Sequence, residues 1–132
     1  MSQISPKLDA LSVRVLDTAL DILAETGDMP VLVGVNDDEE FTSFEDDTPD
    51  GCYRAARDHV RSLGKKCKRY VICYTGIVQE YPKKKGEPAV FFEFGERGMD
   101  HAWSGYMLYR LVNGDVETTD PQPAGAEELL LR

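Results

Sequence analysis

Residues 95–103 hold the densest group of side chains capable of chemistry, in the run Gly-Glu-Arg-Gly-Met-Asp-His-Ala-Trp. Asp100 directly precedes His101, and a carboxylate beside an imidazole can orient it as a general base. No serine or cysteine nucleophile lies at a recognisable offset, so the alternative is a hairpin loop with an arginine–carboxylate pair and an anchoring tryptophan. Because binding residues often lie on loops held by a rigid sheet, Arg97, Asp100, His101 and Trp103 form our candidate ligand or partner site.

Cys67 is the second candidate for chemistry. Lys66, Lys68 and Arg69 surround it, and nearby positive charge lowers the pKa of an exposed thiol, which makes the thiol reactive. The alternative is an incidental surface cysteine. The chain has three cysteines and no CxxC pair, a pattern that indicates reduced thiols rather than a disulfide framework or a zinc site.

Acidic side chains are concentrated in residues 28–50, which hold nine Asp or Glu and no Lys or Arg. The whole chain has 24 acidic and 15 basic residues, so the remainder holds 24 − 9 = 15 acids against 15 bases and is neutral. We define an acidic patch by Asp37, Asp38, Glu39, Glu40, Glu45, Asp46 and Asp47. A basic patch follows at Arg54, Arg57 and Arg61. Charges this close in sequence either pair with each other or face separate partners.

An acidic stretch also raises the question of a calcium site. Residues 46–51 match the first half of an EF-hand loop, with oxygen ligands at alternate positions and glycine at the sixth. The twelfth position is Arg57, a cation where the loop needs a bidentate glutamate. The cysteine and histidine spacings do not match a zinc knuckle either. We therefore assign no metal and no cofactor.

Net charge and hydropathy exclude several classes of function. A net charge of −9 argues against binding of a phosphate backbone as the main activity and against docking on an anionic membrane. No apolar run approaches the roughly 20 residues of a membrane span, and residues 1–6 lack the features of a signal peptide. We therefore expect a cytoplasmic protein and do not expect nucleic acid or a membrane as its partner.

The elements that position these residues follow from the hydrophobic periodicity. Residues 6–26 have apolar side chains at spacings of three and four between an N-cap Ser5 and a terminating Gly27, which predicts an amphipathic helix. A second helix is predicted over residues 50–63. Asn-Gly at 113–114 predicts a hairpin. Strands are predicted at residues 29–35, 41–45, 69–79, 89–94, 102–112 and 115–119, with a polar turn at 81–86.

This order predicts one α+β domain over residues 1–132, in which two main helices pack on one face of an antiparallel sheet of four to six strands. Residues 120–132 begin with a Pro/Gly breaker, so they predict a loosely packed tail with a last helical turn at 127–131. The order of elements is similar to that of the roadblock/longin–profilin group of small α+β domains, a resemblance that implies use as a scaffolding module.

We expect a small acidic protein that acts as a protein-interaction or regulatory module. Its binding surfaces would be the acidic loop at 36–50 and the basic second helix, and its partner another protein. The alternative is a small enzyme or ligand-binding domain with its site around Arg97, Asp100, His101 and Trp103, although the sequence favours a protein that is not an enzyme. A third class is a mimic of nucleic-acid phosphates. The sequence also allows a homodimer, formed through an uncovered sheet edge or through the apolar residues 129–131.

Overall fold

The computed structural model describes residues 4–45, 48–78 and 86–131. The elements in chain order are α1 (Pro6–Thr26), β1 (Val31–Val35), β2 (Thr42–Phe44), α2 (Pro49–Leu63), a short 3-10 helix (Gly64–Lys66), β3 (Arg69–Val78), β4 (Glu87–Glu96), β5 (Ala102–Val112), β6 (Asp115–Thr118) and β7 (Gln122–Glu127). The α+β class is confirmed, as are both helices and the first six strands. Of the predicted turn at 81–86, all but Gly86 lies outside the described residues.

Both helices begin and end where the capping residues predict. The Ser5 hydroxyl accepts a hydrogen bond of 3.1 Å from the Leu8 amide, and Gly27 ends α1 with φ of 79°. That left-handed conformation strains residues with a Cβ, so glycine suits the position. Thr48 caps α2 in the same manner, since its hydroxyl accepts a hydrogen bond of 3.0 Å from the Gly51 amide. The helix boundaries therefore coincide with capping residues in the local sequence.

The strands form one antiparallel sheet in the order β2-β1-β3-β4-β5-β6, and β7 pairs with β5 beside β6. The sequence did not predict β7. Proline cannot donate to a neighbouring strand but is tolerated at a sheet edge, and Pro123 lies opposite Gly105 where the register shifts. The loose tail and the helical turn at 127–131 are therefore replaced by a strand and a packed end. Leu130 and Leu131 are buried, so residues 129–131 belong to the core and do not form an exposed dimer surface.

The two helices lie on opposite faces of the sheet, whereas the sequence prediction placed them on one. Alternate strand residues point to opposite faces. Leu32 and Val71 are buried in a cluster with α1, while Val33 and Ile72 are buried in a cluster with α2. The central strands are apolar on both faces because each face is covered by its own helix. We name these surfaces the α1 face and the α2 face.

Among the residues that the structure describes, no helix is long and apolar enough to cross a membrane.

Candidate functional site

Arg97, the first residue of the predicted loop site, holds two segments of backbone together. Its Nη2 donates to the carbonyl oxygens of Gly64 and Cys67, each at 2.9 Å. Its own backbone amide donates a hydrogen bond of 2.8 Å to the Lys68 carbonyl oxygen. The side chain therefore fastens the end of β4 to the segment between α2 and β3. These contacts give Arg97 a structural role apart from the other three predicted residues.

Of the other three predicted residues, His101 and Trp103 contact each other. The His101 ring stands edge-on to the Trp103 ring, with centroids 4.4 Å apart, and its Nε2 is buried without a hydrogen-bond partner among the described residues. Asp100 is exposed. The hydrogen-bonded Asp100–His101 pair that a general base requires is not formed within the described part of the chain.

Cys67 is a fully buried core thiol rather than the exposed, reactive one that the sequence suggested. Burial raises its pKa to about 11, because this effect outweighs the lowering by the charges of Arg97 and Arg69. Its Sγ donates a hydrogen bond of 3.3 Å to the Arg69 carbonyl. The neighbouring lysines at 66 and 68 are exposed, and the positive charge that does lower the pKa of this thiol comes from Arg97 and Arg69.

The acidic patch is exposed where the structure describes it. Asp46 and Asp47 lie outside the described residues. Asp37 lies 3.5 Å from the Arg69 guanidinium, and the side chains that complete the described part of the patch are Asp38, Glu39, Glu40 and Glu45. The described residues of the patch lie in the turn between β1 and β2 and directly after β2. Exposed charges of one sign contribute mainly to long-range attraction rather than to stability.

The basic patch finds its counter-charges elsewhere. Arg57 and Arg61 both bind the Glu128 carboxylate, Arg57 at 3.3 Å, and Arg61 lies 3.4 Å from Asp58. Arg54 is exposed. Glu128 follows β7 and belongs to no part of the acidic patch. The expected screening of α2 by the acidic patch is therefore replaced, among the described residues, by contacts with the chain's C-terminal segment.

A cleft of about 1150 Å³ opens beside α2, with walls from α1, the β1–β2 hairpin, α2 and strands β3, β4 and β7. We name it the acidic cleft. Five carboxylates line it: Asp28, Glu45, Asp50, Glu93 and Glu127. Three aromatic rings also line it: Phe44, Tyr53 and Tyr74. Among the lining residues that the structure describes there is no Lys, Arg or His. Aromatic rings and carboxylates together attract cations.

Glu93 is the buried acid of this cleft, with 3% of its surface exposed. The Tyr53 hydroxyl donates a hydrogen bond to Oε1, and the Tyr74 hydroxyl is a second partner of the carboxylate. Burial raises the pKa of Glu93, and the charge of Glu127 raises it further, against the opposing effects of the two tyrosines and Arg57. The carboxyl group therefore holds its proton more firmly than a solvated glutamate does, and a bound cation would favour its ionised form.

Glu127 is positioned beside Glu93 by the pairing of β4, β5 and β7. Ser104 lies directly opposite Glu93 across the β4–β5 ladder, and its hydroxyl is 3.1 Å from Oε1 of Glu127. Strand alternation places all three side chains on the α2 face. The cleft can thus present the carboxylates of Glu93 and Glu127 to one ligand group.

Four rings continue across the α2 face, and we name them the aromatic row: Tyr53, Tyr74, Phe91 and Tyr106. Successive centroids are 5.0, 5.5 and 5.8 Å apart, and the Tyr74 and Phe91 rings are nearly parallel, at 8°. Tyr74, Phe91 and Tyr106 are direct cross-strand neighbours. A Cβ at Gly76 would lie 2.9 Å from the Phe91 ring, so the glycine leaves the space that this ring occupies.

The α1 face has a cavity of different chemistry, which we name the apolar pocket. It measures about 760 Å³. Its described walls are mainly apolar: Ile4, Pro6, Phe92, Phe94, Trp103, Pro121 and Pro123. Trp103 is thus the one residue of the predicted loop site that lines it. Asp9, in the first turn of α1, is the charged residue among the described walls.

One sign of the acidic cleft is visible in the sequence. Glu93 interrupts the apolar run of β4, and a carboxylate at that position must either be buried with partners or mark an open part of the sheet. Its partners Tyr53, Tyr74 and Glu127 come from three other elements. Their convergence depends on long-range pairing, which spacing along the chain does not reveal.

The described residues include no group of three or more His, Cys, Asp and Glu arranged to hold a metal ion. No protein-family model, curated protein or solved structure matches the chain. The likeness to the roadblock/longin–profilin group therefore stays an expectation from element order. Any assignment of function has to come from the site itself.

Proposed function

We propose that this protein is a binding module that holds a positively charged segment of a partner protein in the acidic cleft. The observation that carries the proposal is the charge of the walls, since five carboxylates line the cleft and no cationic side chain is among its described lining residues. Carboxylates and aromatic faces both attract cations, and the attraction grows where water is excluded. The acidic cleft is the site that we propose for the interaction module, and Glu45 is the described residue that it shares with the acidic patch.

The distribution of acids in the cleft, which measures about 1150 Å³, favours an extended chain segment. Asp28, Glu45 and Asp50 are exposed at its edge, while Glu93 is buried at its base. An extended basic segment could meet the edge acids with several side chains and place one of them near Glu93.

The acidic patch supports association from a distance. Its exposed carboxylates at Asp37 to Glu40 extend the negative field beyond the cleft. Charges outside a contact mainly raise the association rate, and they do so less at high salt. The basic patch is not a partner-binding surface in the proposal, because Arg57 and Arg61 are paired with Glu128.

The test measures the affinity of a short peptide that alternates glycine and arginine, using isothermal titration calorimetry. The triple variant Asp28→Asn, Glu45→Gln, Asp50→Asn removes the acids at the cleft edge while keeping their shapes. We expect it to weaken binding by about 10-fold or more, because three close charge pairs are lost.

The matched control is Asp37→Asn, Asp38→Asn, Glu39→Gln, which changes net charge by the same amount outside the cleft. We expect a loss of no more than about 3-fold, mostly in the association rate. Equal losses in the two variants would show that net charge alone attracts the peptide. An unchanged affinity in the cleft variant would contradict the proposal.

The apolar pocket supports a second candidate, the binding of an apolar small molecule, which keeps the ligand-binding alternative at Trp103. Its size and its aromatic and proline walls carry this candidate. The probe is the dye 1-anilinonaphthalene-8-sulfonate, whose fluorescence rises in apolar surroundings. We expect Trp103→Ala to weaken dye binding and Tyr106→Ala, on the other face, to leave it unchanged. Equal binding by both variants would remove the pocket as a site.

A further inference from the structure

The aromatic row presents its rings as a platform rather than as isolated side chains. Tyr74, Phe91 and Tyr106 follow one another across three neighbouring strands on the same face. Glu93 lies two residues after Phe91 on β4, and Ser104 lies two residues before Tyr106 on β5. Because side chains on one face recur every second residue, Glu93 and Ser104 are direct neighbours of the aromatic row on the same face. A flat cation could rest on a ring while its edge reaches a carboxylate.

The chain's own Arg57 already uses one end of this platform. Its guanidinium carbon lies 5.5 Å from the centre of the Tyr53 ring. Its charge also lowers the pKa of Glu93, although burial raises that pKa overall. A guanidinium group is therefore accommodated beside the tyrosine that holds the buried carboxylate. Tyr74, the next ring of the row, also lines the cleft, and among the described contacts no internal cation lies over it.

We infer that the acidic cleft selects arginine over lysine side chains, by stacking the guanidinium plane on the aromatic row and pairing its edge with Glu93 and Glu127. This inference rests on the proposed function and specifies the group that is recognised. A guanidinium is planar, stacks on aromatic faces and pairs with carboxylates through two donors. An ammonium is compact and more strongly hydrated, so it loses more on entering a cleft with a desolvated base.

The test compares three peptides of equal length and charge that alternate glycine with arginine, lysine or trimethyl-lysine. Calorimetry with the wild-type chain is expected to show at least about 10-fold tighter binding of the arginine peptide than of either other peptide. Tyr74→Leu and Phe91→Leu should each reduce this preference to less than about 3-fold, because the stacking surface is lost. The matched control is Tyr109→Leu, which removes a ring from the α1 face and should keep the preference.

A second measurement needs no variant. In proton NMR of the wild-type complex, the arginine δ-methylene signals should shift upfield, since they would lie over aromatic rings. Equal affinity for the arginine and lysine peptides, or unshifted arginine signals, would overturn the inference while leaving the proposed function standing. Tightest binding of trimethyl-lysine would indicate an enclosing cage and would also overturn it. Failure of all three peptides to bind would overturn both proposals.

Discussion

The two faces of the sheet are built from the same strands but have opposite chemistry. On β4, Val90, Phe92 and Phe94 point to the α1 face, while Phe91 and Glu93 point to the α2 face. The 21-residue α1 packs against β1, β3 and β4, whereas the 15-residue α2 packs against β1, β2 and β3. The shorter helix leaves part of its face uncovered. Strand alternation can therefore give the two faces of one sheet different surfaces, an apolar pocket on one and a carboxylate-lined cleft on the other.

The largest expected effect is loss of packing on the α1 face. Leu11 is fully buried there, so Leu11→Ala should lower the free energy of unfolding by about 2–5 kcal/mol through lost transfer energy and a residual cavity. The matched control is Val13→Ala on the same helix, where the side chain is 50% exposed and the change should stay within about 0.5 kcal/mol. Urea denaturation measures both. Similar losses at the two positions would contradict the packing of α1.

The next prediction concerns one thiol from each face. Cys67 packs with the α2 cluster and Cys73 with the α1 cluster, and burial raises their pKa values to about 11 and about 12. Iodoacetamide near pH 8 should modify each at least about 100-fold more slowly in the folded chain than in urea. Mass spectrometry of peptides reports the two rates. Fast native labelling of Cys67 alone would restore the reactive-thiol hypothesis.

A smaller effect is expected from the buried acid of the α2 face. The pKa of Glu93 is raised above 4.5, so the folded chain keeps a proton that the unfolded chain releases, and stability falls as pH rises from about 4.5 through the raised value. Glu93→Gln stays neutral and still accepts from Tyr53. We expect the variant to match the wild type below pH 4.5 and to be more stable at pH 7.

Urea denaturation as a function of pH measures this difference for Glu93→Gln. A difference that does not change with pH would mean that the carboxylate has the same pKa in both states. A variant that loses stability relative to the wild type as the pH rises from below 4.5 to 7 would mean that folding favours the ionised form, which contradicts a raised pKa for Glu93.

The smallest effect is expected from the surface charges of α2. Arg61 is 46% exposed where it meets Glu128 and Asp58. Arg61→Gln should change the free energy of unfolding by only about 0–1 kcal/mol, because exposed ion pairs gain little over solvated charges. The difference should shrink further in high salt. A loss above about 2 kcal/mol would show that the basic patch is part of the structural core.

The sequence predicted those parts of the fold that depend on neighbours along the chain. Ser5 and Gly27 set the ends of α1, and the Asn-Gly pair at 113–114 placed the β5–β6 hairpin. It failed for β7, where the pattern of Pro121, Pro123 and Gly125 indicates a breaker. The strand forms there because β5 offers an open edge, a fact that no local pattern contains.

The same distinction between local and long-range contacts applies to the candidate sites. The predicted loop at 95–103 was chosen because its polar residues are adjacent in sequence. In the structure, however, Arg97 binds backbone carbonyl groups, whereas Trp103 lines the apolar pocket. The acidic cleft combines residues from Asp28 to Glu127, so it depends on the folding of almost the whole chain. Helix placement on opposite faces did have a sign in the sequence, because the continuous apolar run of β3 is typical of a strand covered on both faces.

The most direct test is a titration of the isotopically labelled chain with the glycine–arginine peptide, followed by amide NMR. We predict that the perturbed signals belong to residues of the α2 face around Tyr74, Glu93 and Glu127, while those around Trp103 on the α1 face stay in place. Perturbations concentrated at Trp103, or at Asp37 to Glu40 without the cleft, would contradict the assignment of the binding site.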